Sequence, residues 1–366
     1  MLFLNNDDVK KVLTMKMTMD ALEESYLQMI KGEAVCRPNI GLHIPTPDPN
    51  KTYIYADMNG GSAASGYFAI RIKNDIRYIS EYSGVRTEEK YCIQPGTFCG
   101  LIFLFKIDDA EPLALMNDGF LQHMRVGADG GLGVKYMAKE DAEVVGMLGS
   151  GGMARSHIDA FRQVRGIKRI QIYSPTKAHR EAYAREMKEK FGIETVALDS
   201  PEDVCKGADI FADCSDARVP LILGKNLEKG MHLRTVGGGL DEEGFGKIDR
   251  WLRFGNATPP RGQEEITDES LAYLTPILAG KELRPHQGNQ ERLDKLSREG
   301  KLIYLKDILN GKEKGRTSPQ DITYSERGNL QGAQFHAVAG KVYEAAKKKG
   351  IGRELPTEWF LQDIRD

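Results

Sequence analysis

A glycine-rich segment that joins an apolar strand to a helix is the first pattern in the chain that could do chemistry. It lies in "VVGMLGSGGMARSHIDAF" and has the form G-x-G-x-x-A. The first glycine makes a tight turn, the second lets the backbone approach a pyrophosphate, and the alanine lets the helix pack close to the strand. The N-terminus of the helix offers unpaired N–H groups to the phosphates. The segment predicts a dinucleotide-binding site built from Gly149, Ser150, Gly151, Gly152, Met153 and Ala154.

The end of the next predicted strand bears on which dinucleotide is bound. Folds that are specific for NAD place Asp or Glu there, to bond the ribose 2′-hydroxyl. This chain has "IQIYSPTKAHR", with Ser174 at that position and Thr176, Lys177 and Arg180 shortly after it. A carboxylate would repel a 2′-phosphate, whereas hydroxyls and cations bind it through charge-assisted hydrogen bonds. We therefore expect NADP(H) to be preferred and NAD(H) to be possible, the alternative being that Lys177 and Arg180 are solvated helix residues.

Two further strand ends belong to the same predicted crevice. Cys214 and Ser215 end the strand-like run "DIFADCS", and Val236 and Gly237 end "HLRTVGG". In open parallel sheets a ligand binds outside the carboxyl ends of the strands. We therefore assign these four residues to the cofactor site, and at Cys214 we expect backbone contact without thiol chemistry.

A pair of cations on one predicted strand could bind an anionic substrate. In "YFAIRIKND", Arg71 and Lys73 lie two residues apart and share one face, while Ile70 and Ile72 occupy the other. Cations in this pattern usually point to solvent. A role in substrate binding or catalysis is the alternative for both Arg71 and Lys73.

The composition is that of an ordinary globular enzyme. The 366 residues suit two domains, 40% of them are hydrophobic and 28% charged, and the formal net charge is −2. This balance gives no electrostatic reason to expect nucleic acid or an anionic membrane as a partner. The five cysteines show no C-x-x-C spacing, and no apolar run approaches about 20 residues. We expect a cytoplasmic protein without disulfides, a metal site or a membrane span.

The elements that must position these residues follow from apolar periodicity. After residue 142, strands alternate with helices of about 10 to 15 residues, "SPEDVCKGA" being one of the helices, and this predicts a parallel sheet. The strand-like runs between residues 67 and 107 predict a small, largely antiparallel sheet. Residues 7–31 are helical, with Asp20 as the cap of a second helix, and residues 261–316 receive no element. The predicted fold class is α/β: a Rossmann-type parallel sheet domain plus a smaller α+β domain.

Several segments, in order, resemble the ornithine cyclodeaminase/mu-crystallin family nearly from end to end. They include "CRP", "ALMNDGFLQHMRVGA", "GMLGSGGMARSHIDAF", "GMHLRTVGG", "KDILNGKEKGRTSPQDIT" and "GNLQGAQFHAVAGKVYEAAKKKGIGREL". The resemblance implies a Rossmann domain, residues 120–317, inserted into a substrate-binding and dimerisation domain formed by residues 1–119 and 318–366. It also implies a homodimer. The activities it implies are cyclodeamination, imine or ketimine reduction, amino-acid dehydrogenation and, in crystallins, binding roles.

The resemblance also implies substrate-binding residues. Arg37 matches an early arginine that contacts the substrate carboxylate, and Arg125, in "LQHMRVGA", matches an arginine with the same role. Val126 stands where the family has a threonine, so a hydroxyl contact is lost. The family's strand lysine aligns best with Arg71, which keeps the charge.

The loop after "HLRTVGG" departs from the ornithine cyclodeaminases. They carry an acidic residue that serves deamination, and here Gly239 occupies its position, with Asp241 two residues on as a possible substitute. Loss of the acid disfavours cyclodeamination and leaves hydride transfer intact. We expect an NADPH-dependent reductase of a small α-imino acid, or the reverse amino-acid dehydrogenase. The alternatives are an ornithine cyclodeaminase with bound NAD and a non-catalytic, NADP-dependent binding protein of the mu-crystallin type.

Overall fold

Runs of β-branched and other apolar residues form two sheets in the computed structural model, which describes residues 1–82, 85–217, 219–258 and 287–364. The strands are β1 Leu2–Leu4, β2 Ala34–Cys36, β3 Ile40–Pro45, β4 Thr52–Ser62, β5 Tyr67–Tyr82, β6 Val85–Tyr91, β7 Cys99–Lys106, β8 Pro112–Asn117, β9 Val144–Leu148, β10 Arg169–Tyr173, β11 Glu194–Ala197, β12 Ile210–Asp213, β13 His232–Thr235, β14 Arg250–Arg253, β15 Leu302–Tyr304, β16 Thr323–Glu326 and β17 Arg353–Glu354. The helices are α1 Asn6–Val12, α2 Met15–Lys31, α3 Gly119–Met137, α4 Gly152–Val164, α5 Lys177–Phe191, α6 Glu242–Lys247, α7 Gln287–Arg298, α8 Leu305–Leu309 and α9 Gln331–Lys349.

Eight parallel strands form the sheet that carries the glycine-rich motif. Their order is β11-β10-β9-β12-β13-β16-β14-β15, and β9 pairs in parallel with both β10 and β12. The order turns back on itself beside β9, which is where doubly wound sheets bind ligands. This sheet confirms the predicted Rossmann-type α/β class. The domain boundaries stay a prediction, and β16 extends the parallel sheet beyond residue 317.

The second sheet is built from both ends of the chain. Its order is β17-β1-β8-β7-β5-β4-β2, with β3 beside β4 and β6 beside β5. All of its pairs are antiparallel except the parallel pair of β1 and β8. Helix α9 packs against β4 and β5, so that one face of the sheet is covered by a helix from the C-terminal part of the chain.

Glycines in α3 allow this helix to lie directly on α4. A Cβ at Gly127 would stand 2.5 Å from the backbone carbonyl carbon of Ser156, and one at Gly130 would stand 2.6 Å from the ring of His157. Helix α3 leads from β8 of the antiparallel sheet to β9 of the parallel sheet. The close packing therefore brings residues on α3 against the helix that follows the glycine-rich motif.

Two local predictions are wrong. Thr14 caps α2, and Asp20 lies inside that helix, paired with Lys16. The segment "SPEDVCKGA" forms only one turn of 3₁₀ helix, Pro201–Asp203, and Gly207 soon turns the chain with a φ of 65°. Of the unassigned residues 261–316, those up to 286 lie outside the described residues. Across the helices that the structure describes, none is long and apolar enough to cross a membrane.

Substitution of Gly127 by Ala is expected to destabilise the protein. Alanine is the better helix former by about 1 kcal/mol, but its Cβ would overlap backbone that cannot move away. Overpacking of this kind costs about 1–3 kcal/mol, so we expect a lower melting temperature. In Gly246→Ala the new Cβ would meet nothing within 4 Å, and this control should melt at or slightly above the wild-type temperature. Equal melting of the two variants would contradict the packing argument.

Candidate functional site

The glycine-rich loop between β9 and α4 has the shape of a phosphate cradle. Gly149 has a φ of 92°, and a Cβ there would stand 2.6 Å from the carbonyl oxygen of Cys214. At Gly151 a Cβ would meet nothing within 4 Å, so the loop is open above the start of the helix. Helix α4 has no side-chain cap and no acidic residue in its first turn, which leaves its N–H groups for an anion. These features fit the pyrophosphate of a dinucleotide.

The remaining motif residues support the loop. Ser150 donates its hydroxyl to Ser174 Oγ at 2.9 Å, which joins the loop to the end of β10. Ala154 is fully buried, and its carbonyl accepts from the hydroxyl of Tyr183 on α5. Met153 is partly buried, and its carbonyl accepts from side chains one turn further along α4.

The cofactor residues predicted after β10 differ in their exposure to solvent: Arg180 is buried and Lys177 is exposed. Arg180 is buried, donates to the carbonyl oxygen of Ser174 at 2.9 Å and pairs with Asp199. Arg180 is therefore not a solvated helix residue, and its guanidinium binds the loop after β10 and Asp199. Thr176 and Lys177 lie at the start of α5, and the Lys177 side chain is 70% exposed. Lys177 is thus the cation here that can turn toward a ligand.

The other predicted strand ends line a cavity of about 270 Å³ beside the glycine-rich loop. Ser215, Val236 and Gly237 contribute to it, facing Glu88 and Lys90 of β6 from the antiparallel sheet. Cys214 is buried, and burial raises the pKa of its thiol. A neutral thiol is a poor nucleophile, so the contribution of Cys214 is its backbone.

Arg71 and Arg125 come together on one aromatic ring. Their guanidinium carbons lie 5.4 and 4.8 Å from the ring centroid of Phe335 on α9. Arg71 is 4% exposed, and its Nε donates to the carboxylate of Asp118 at 2.7 Å. The structure thus answers the question about the strand face: at position 71 the cation points inward, against α9, and it has an acidic partner.

Arg125 is buried, and its hydrogen-bond partners among the described residues are neutral. It is 2% exposed and donates to Gln122 Oε1 and, at 2.7 Å, to Gln334 Oε1. Burial lowers the pKa of its guanidinium, and the nearby charge of Arg327 lowers it further. An arginine retains its proton in proteins, so the site carries a buried positive charge that an anionic ligand would neutralise.

A buried polar network connects Arg125 with the parallel sheet. Gln334 Nε2 donates to the hydroxyl of Tyr26 at 2.6 Å and to Asp129 Oδ1 at 3.0 Å. Asp129 also accepts from Tyr26 at 2.6 Å and forms an ion pair with Arg234 on β13 at 2.5 Å. The network joins α2, α3, α9 and β13, and it fixes the amide of Gln334 that orients Arg125.

Arg37 and Lys73 lie away from this ring. The Arg37 side chain is 45% exposed and pairs with Asp57 of β4. The backbone N–H of Arg37 donates to the carbonyl oxygen of Asn59 at 3.0 Å. Lys73 pairs with Asp75 at 2.5 Å, and burial together with the charge of Lys90 lowers the pKa of its amine. No contact in the described residues joins either side chain to Arg71 or Arg125, although Lys73 shares the strand face of Arg71.

Asp241 caps a helix. Its Oδ1 accepts from the backbone N–H of Gly244 at 2.7 Å and from that of Gly224 at 2.8 Å. The donors belong to α6 and to the 3₁₀ turn Gly224–Asn226, and no contact among the described residues supports a catalytic role for Asp241. At Gly239 φ is 84° and a Cβ would meet open space. The loop therefore presents backbone where the cyclodeaminases were expected to have their acid.

Sequence reasoning missed the residues that hold the arginines. Asp118, Gln334 and Phe335 lie at the start of one helix and in the first turns of another, and only the fold brings them together. His123, two residues before Arg125, was also missed; a Cβ at Gly152 would stand 2.6 Å from its ring, so it touches the start of the helix after the glycine-rich loop. One feature of the sequence could have indicated Gln334 and Phe335: they form a polar and aromatic pair, "QF", among the small residues of α9.

Comparisons with known proteins agree with this arrangement. Residues 81–350 match the sequence profile of the ornithine cyclodeaminase/mu-crystallin family. A Delta(1)-pyrroline-2-carboxylate reductase from Bacillus cereus is 26% identical over 71% of this chain and 74% of its own.

Solved structures show the same fold over nearly the whole chain. The Delta(1)-pyrroline-2-carboxylate reductase of Thermococcus litoralis, in complex with NADH and L-proline, has a TM-score of 0.74 at 23% identity and covers 97% of this chain and 100% of its own. The iminosuccinate reductase of Paracoccus denitrificans, in complex with NAD+, has a TM-score of 0.74 at 18% identity and covers 97% and 99%. With a family match over residues 81–350 and the predicted motifs in place, this chain belongs to the ornithine cyclodeaminase/mu-crystallin family.

Proposed function

We propose that the protein is an NADPH-dependent reductase of small α-imino (ketimine) acids, or catalyses the reverse oxidation of an amino acid. The observation that carries this proposal is Arg125, a buried cation without an acidic partner among the described residues, beside the ring of Phe335. It stands on α3, the helix that packs on the dinucleotide-binding helix. A carboxylate bound there would lie next to the cofactor crevice. The reductases among the relatives support this choice of reaction.

The site residues have two roles: some hold the dinucleotide and others orient the substrate. The glycine-rich loop, Ser174 and the strand ends would hold the dinucleotide, which when bound supplies or accepts a hydride. Arg125 binds the substrate carboxylate, and Arg71, kept in place by Asp118, adds a second cation to the same side. Orientation of this kind contributes several kcal/mol to catalysis. Lys73, on the strand face of Arg71, is the candidate for a further catalytic cation.

The proposed reaction needs little acid catalysis from the protein. A protonated imine accepts a hydride without further acid catalysis, and Gly239 provides no carboxylate at the position where deamination would use one. This loop favours reduction over cyclodeamination. The alternatives are a cyclodeaminase with bound NAD and an NADP-dependent binding protein without turnover.

A spectrophotometric screen separates the three. NADPH or NADH oxidation is followed with keto acids plus ammonia or methylamine, and with cyclic imino acids such as pyrroline-2-carboxylate. Ammonia release from ornithine is measured in parallel. We expect oxidation with at least one imino acid. Ammonia from ornithine without any NAD(P)H oxidation would establish the cyclodeaminase, and dinucleotide binding without either activity would establish the binding protein.

Arg125→Ala is expected to lower kcat/KM for the imino acid by about 100-fold, since loss of one buried charged contact costs about 2–5 kcal/mol. Arg185 is exposed on α5, and Arg185→Ala serves as the matched control with unchanged kinetics. Dinucleotide binding, measured by fluorescence, and the melting temperature show whether the variant is folded. Undiminished turnover by folded Arg125→Ala would refute the carboxylate assignment.

The preference for NADP(H) rests on the end of β10. Ser174 presents a hydroxyl that already bonds Ser150, and the exposed Lys177 follows within reach of the same loop. Hydroxyl and ammonium groups bind a 2′-phosphate and do not repel it. Relatives of known structure contain NADH or NAD+, so the preference is a property to be tested in this chain.

Ser174→Asp is expected to lower the ratio of kcat/KM for NADPH over NADH by at least about tenfold, because a carboxylate repels the 2′-phosphate and can bond the 2′-hydroxyl of NADH. The same change at the exposed Ser297 on α7 is the control, and its ratio should equal that of the wild type. An unchanged ratio in Ser174→Asp would count against Ser174 as a cofactor contact.

The antiparallel sheet offers a surface for a homodimer. Helix α9 covers the face that carries Arg71, and alternation places Ile70 and Ile72 on the opposite face. There Ile70 stands opposite Phe103 and Ile72 opposite Leu101 across β5 and β7, and all four side chains are partly exposed. A contiguous apolar face of this kind marks an association surface, and we propose that two copies pair through it.

Phe103→Asp is expected to dissociate the dimer, because it buries a charge against an apolar partner. Light scattering coupled to gel filtration should give twice the 40.8 kDa chain mass for the wild type and that mass for the variant. Leu309 on α8 is 39% exposed, and Leu309→Asp is the control that should remain dimeric. A monomeric wild type, or a dimeric Phe103→Asp, would argue against this interface.

A further inference from the structure

A second cation, which has no acidic partner among the described residues, lies in the loop that leads to the helix packed on Arg125. Arg327 lies in the loop between β16 and α9, is partly buried, and its Nε is enclosed without a hydrogen-bond partner in the described residues. The loop leads directly into α9, whose Gln334 and Phe335 contact Arg125. The charge of Arg327 lowers the pKa of the Arg125 guanidinium, second only to burial. The loop begins at the carboxyl end of a parallel strand, the edge at which such sheets bind ligands.

Charges around this site do not balance. In the parts of the chain that the structure describes, Arg37 pairs with Asp57, Arg71 with Asp118 and Arg234 with Asp129. Arg125 bonds only to the amides of two glutamines, and no bond satisfies the enclosed Nε of Arg327. Among the described residues, two positive charges are therefore left without an acidic partner, the buried one of Arg125 and the partly buried one of Arg327. A charge that is removed from water without a partner is costly, which favours a ligand that brings a negative charge to each cation.

The neighbourhood of Arg327 adds unsatisfied hydrogen-bonding groups. The side-chain oxygens of Asn39 and of Gln331 are buried and have no hydrogen-bond partner in the part of the chain that the structure describes. Asn39 also donates its backbone N–H to the side chain of Asn329, at 3.3 Å, which joins the loop after Arg37 to the loop of Arg327. Helix α9 begins here with no side-chain cap and no acidic residue in its first turn. Its positive end points to the same space.

We propose that the substrate is a small α-imino dicarboxylic acid, with Arg125 binding its α-carboxylate and Arg327 binding the carboxylate of its side chain. This inference rests on the proposed function and names the substrate class of the same site. A monocarboxylic substrate would leave Arg327 uncompensated. The reaction adds a hydride to the imine carbon and a proton to the nitrogen, with NADPH or NADH as the reductant, and both carboxylates remain unchanged.

The test compares a diacid with a monoacid in the full-length protein. Oxaloacetate plus ammonia and pyruvate plus ammonia are supplied as substrates, and NAD(P)H oxidation gives kcat/KM for each. We expect the wild type to prefer the diacid by at least about tenfold. In Arg327→Gln the ratio of diacid over monoacid should fall by about 30-fold, chiefly through KM, because one buried charged contact of about 2 kcal/mol is lost. Arg327→Lys should restore part of the ratio, and Arg185→Gln should not change it.

A binding measurement without turnover keeps this inference separable from the proposed function. Succinate and propionate are added to the dinucleotide-loaded protein, and melting temperatures are recorded. We expect succinate to raise the melting temperature of the wild type more than propionate does, and Arg327→Gln to lose that difference. Turnover of pyruvate or cyclic imino acids with no preference for oxaloacetate would overturn the diacid inference alone. No oxidation of NAD(P)H with any imine would overturn the proposed function, and succinate binding would then decide whether Arg327 recognises a second carboxylate.

Discussion

The buried ion pair between Asp129 and Arg234 is the contact on which the arrangement of the two sheets depends. Both side chains are removed from water, where an unpaired charge would cost several kcal/mol. The pair is tolerated because Tyr26 and Gln334 supply the remaining hydrogen bonds of the carboxylate. Those two residues come from α2 and α9, which otherwise belong to the antiparallel sheet. Placement of either helix elsewhere would leave a charge unsatisfied, so one polar cluster determines how the sheets meet.

The glycine-rich turn and the strands around it could be predicted because their signals are local. A turn of this shape needs glycine at Gly149, whose φ is 92°, and alternation of strands and helices implies a parallel sheet. The inward direction of the Arg71 side chain was harder to predict. Strand periodicity places Arg71 and Lys73 on one face but does not show that α9, more than two hundred residues later in the chain, covers that face.

The partners of the two arginines could not be read from the sequence for the same reason. Phe335, Gln334 and Asp118 acquire their roles only when helices that are distant in sequence meet. Asp241 illustrates the opposite error, since an acid two residues from an expected position resembles a displaced catalytic group, whereas helix capping is the commoner use of Asp before a helix. Arg180 is a similar case. The sequence shows its charge, but it does not show that backbone carbonyls and Asp199 bind its guanidinium.

The order in which the chain is synthesised gives the two-ended sheet a consequence for folding. The amino group of Met1 donates to the carbonyl oxygen of Leu355 at 2.9 Å. Strand β1 can therefore complete its pairing only when β17 has been synthesised. Strands β9 to β13 leave the ribosome well before β16 and α9, and early segments fold first. A nascent chain can thus form much of the nucleotide-binding layer while Arg125 still lacks Gln334 and Phe335. The carboxylate side of the site is completed only after α9 has been synthesised and has packed against Arg125.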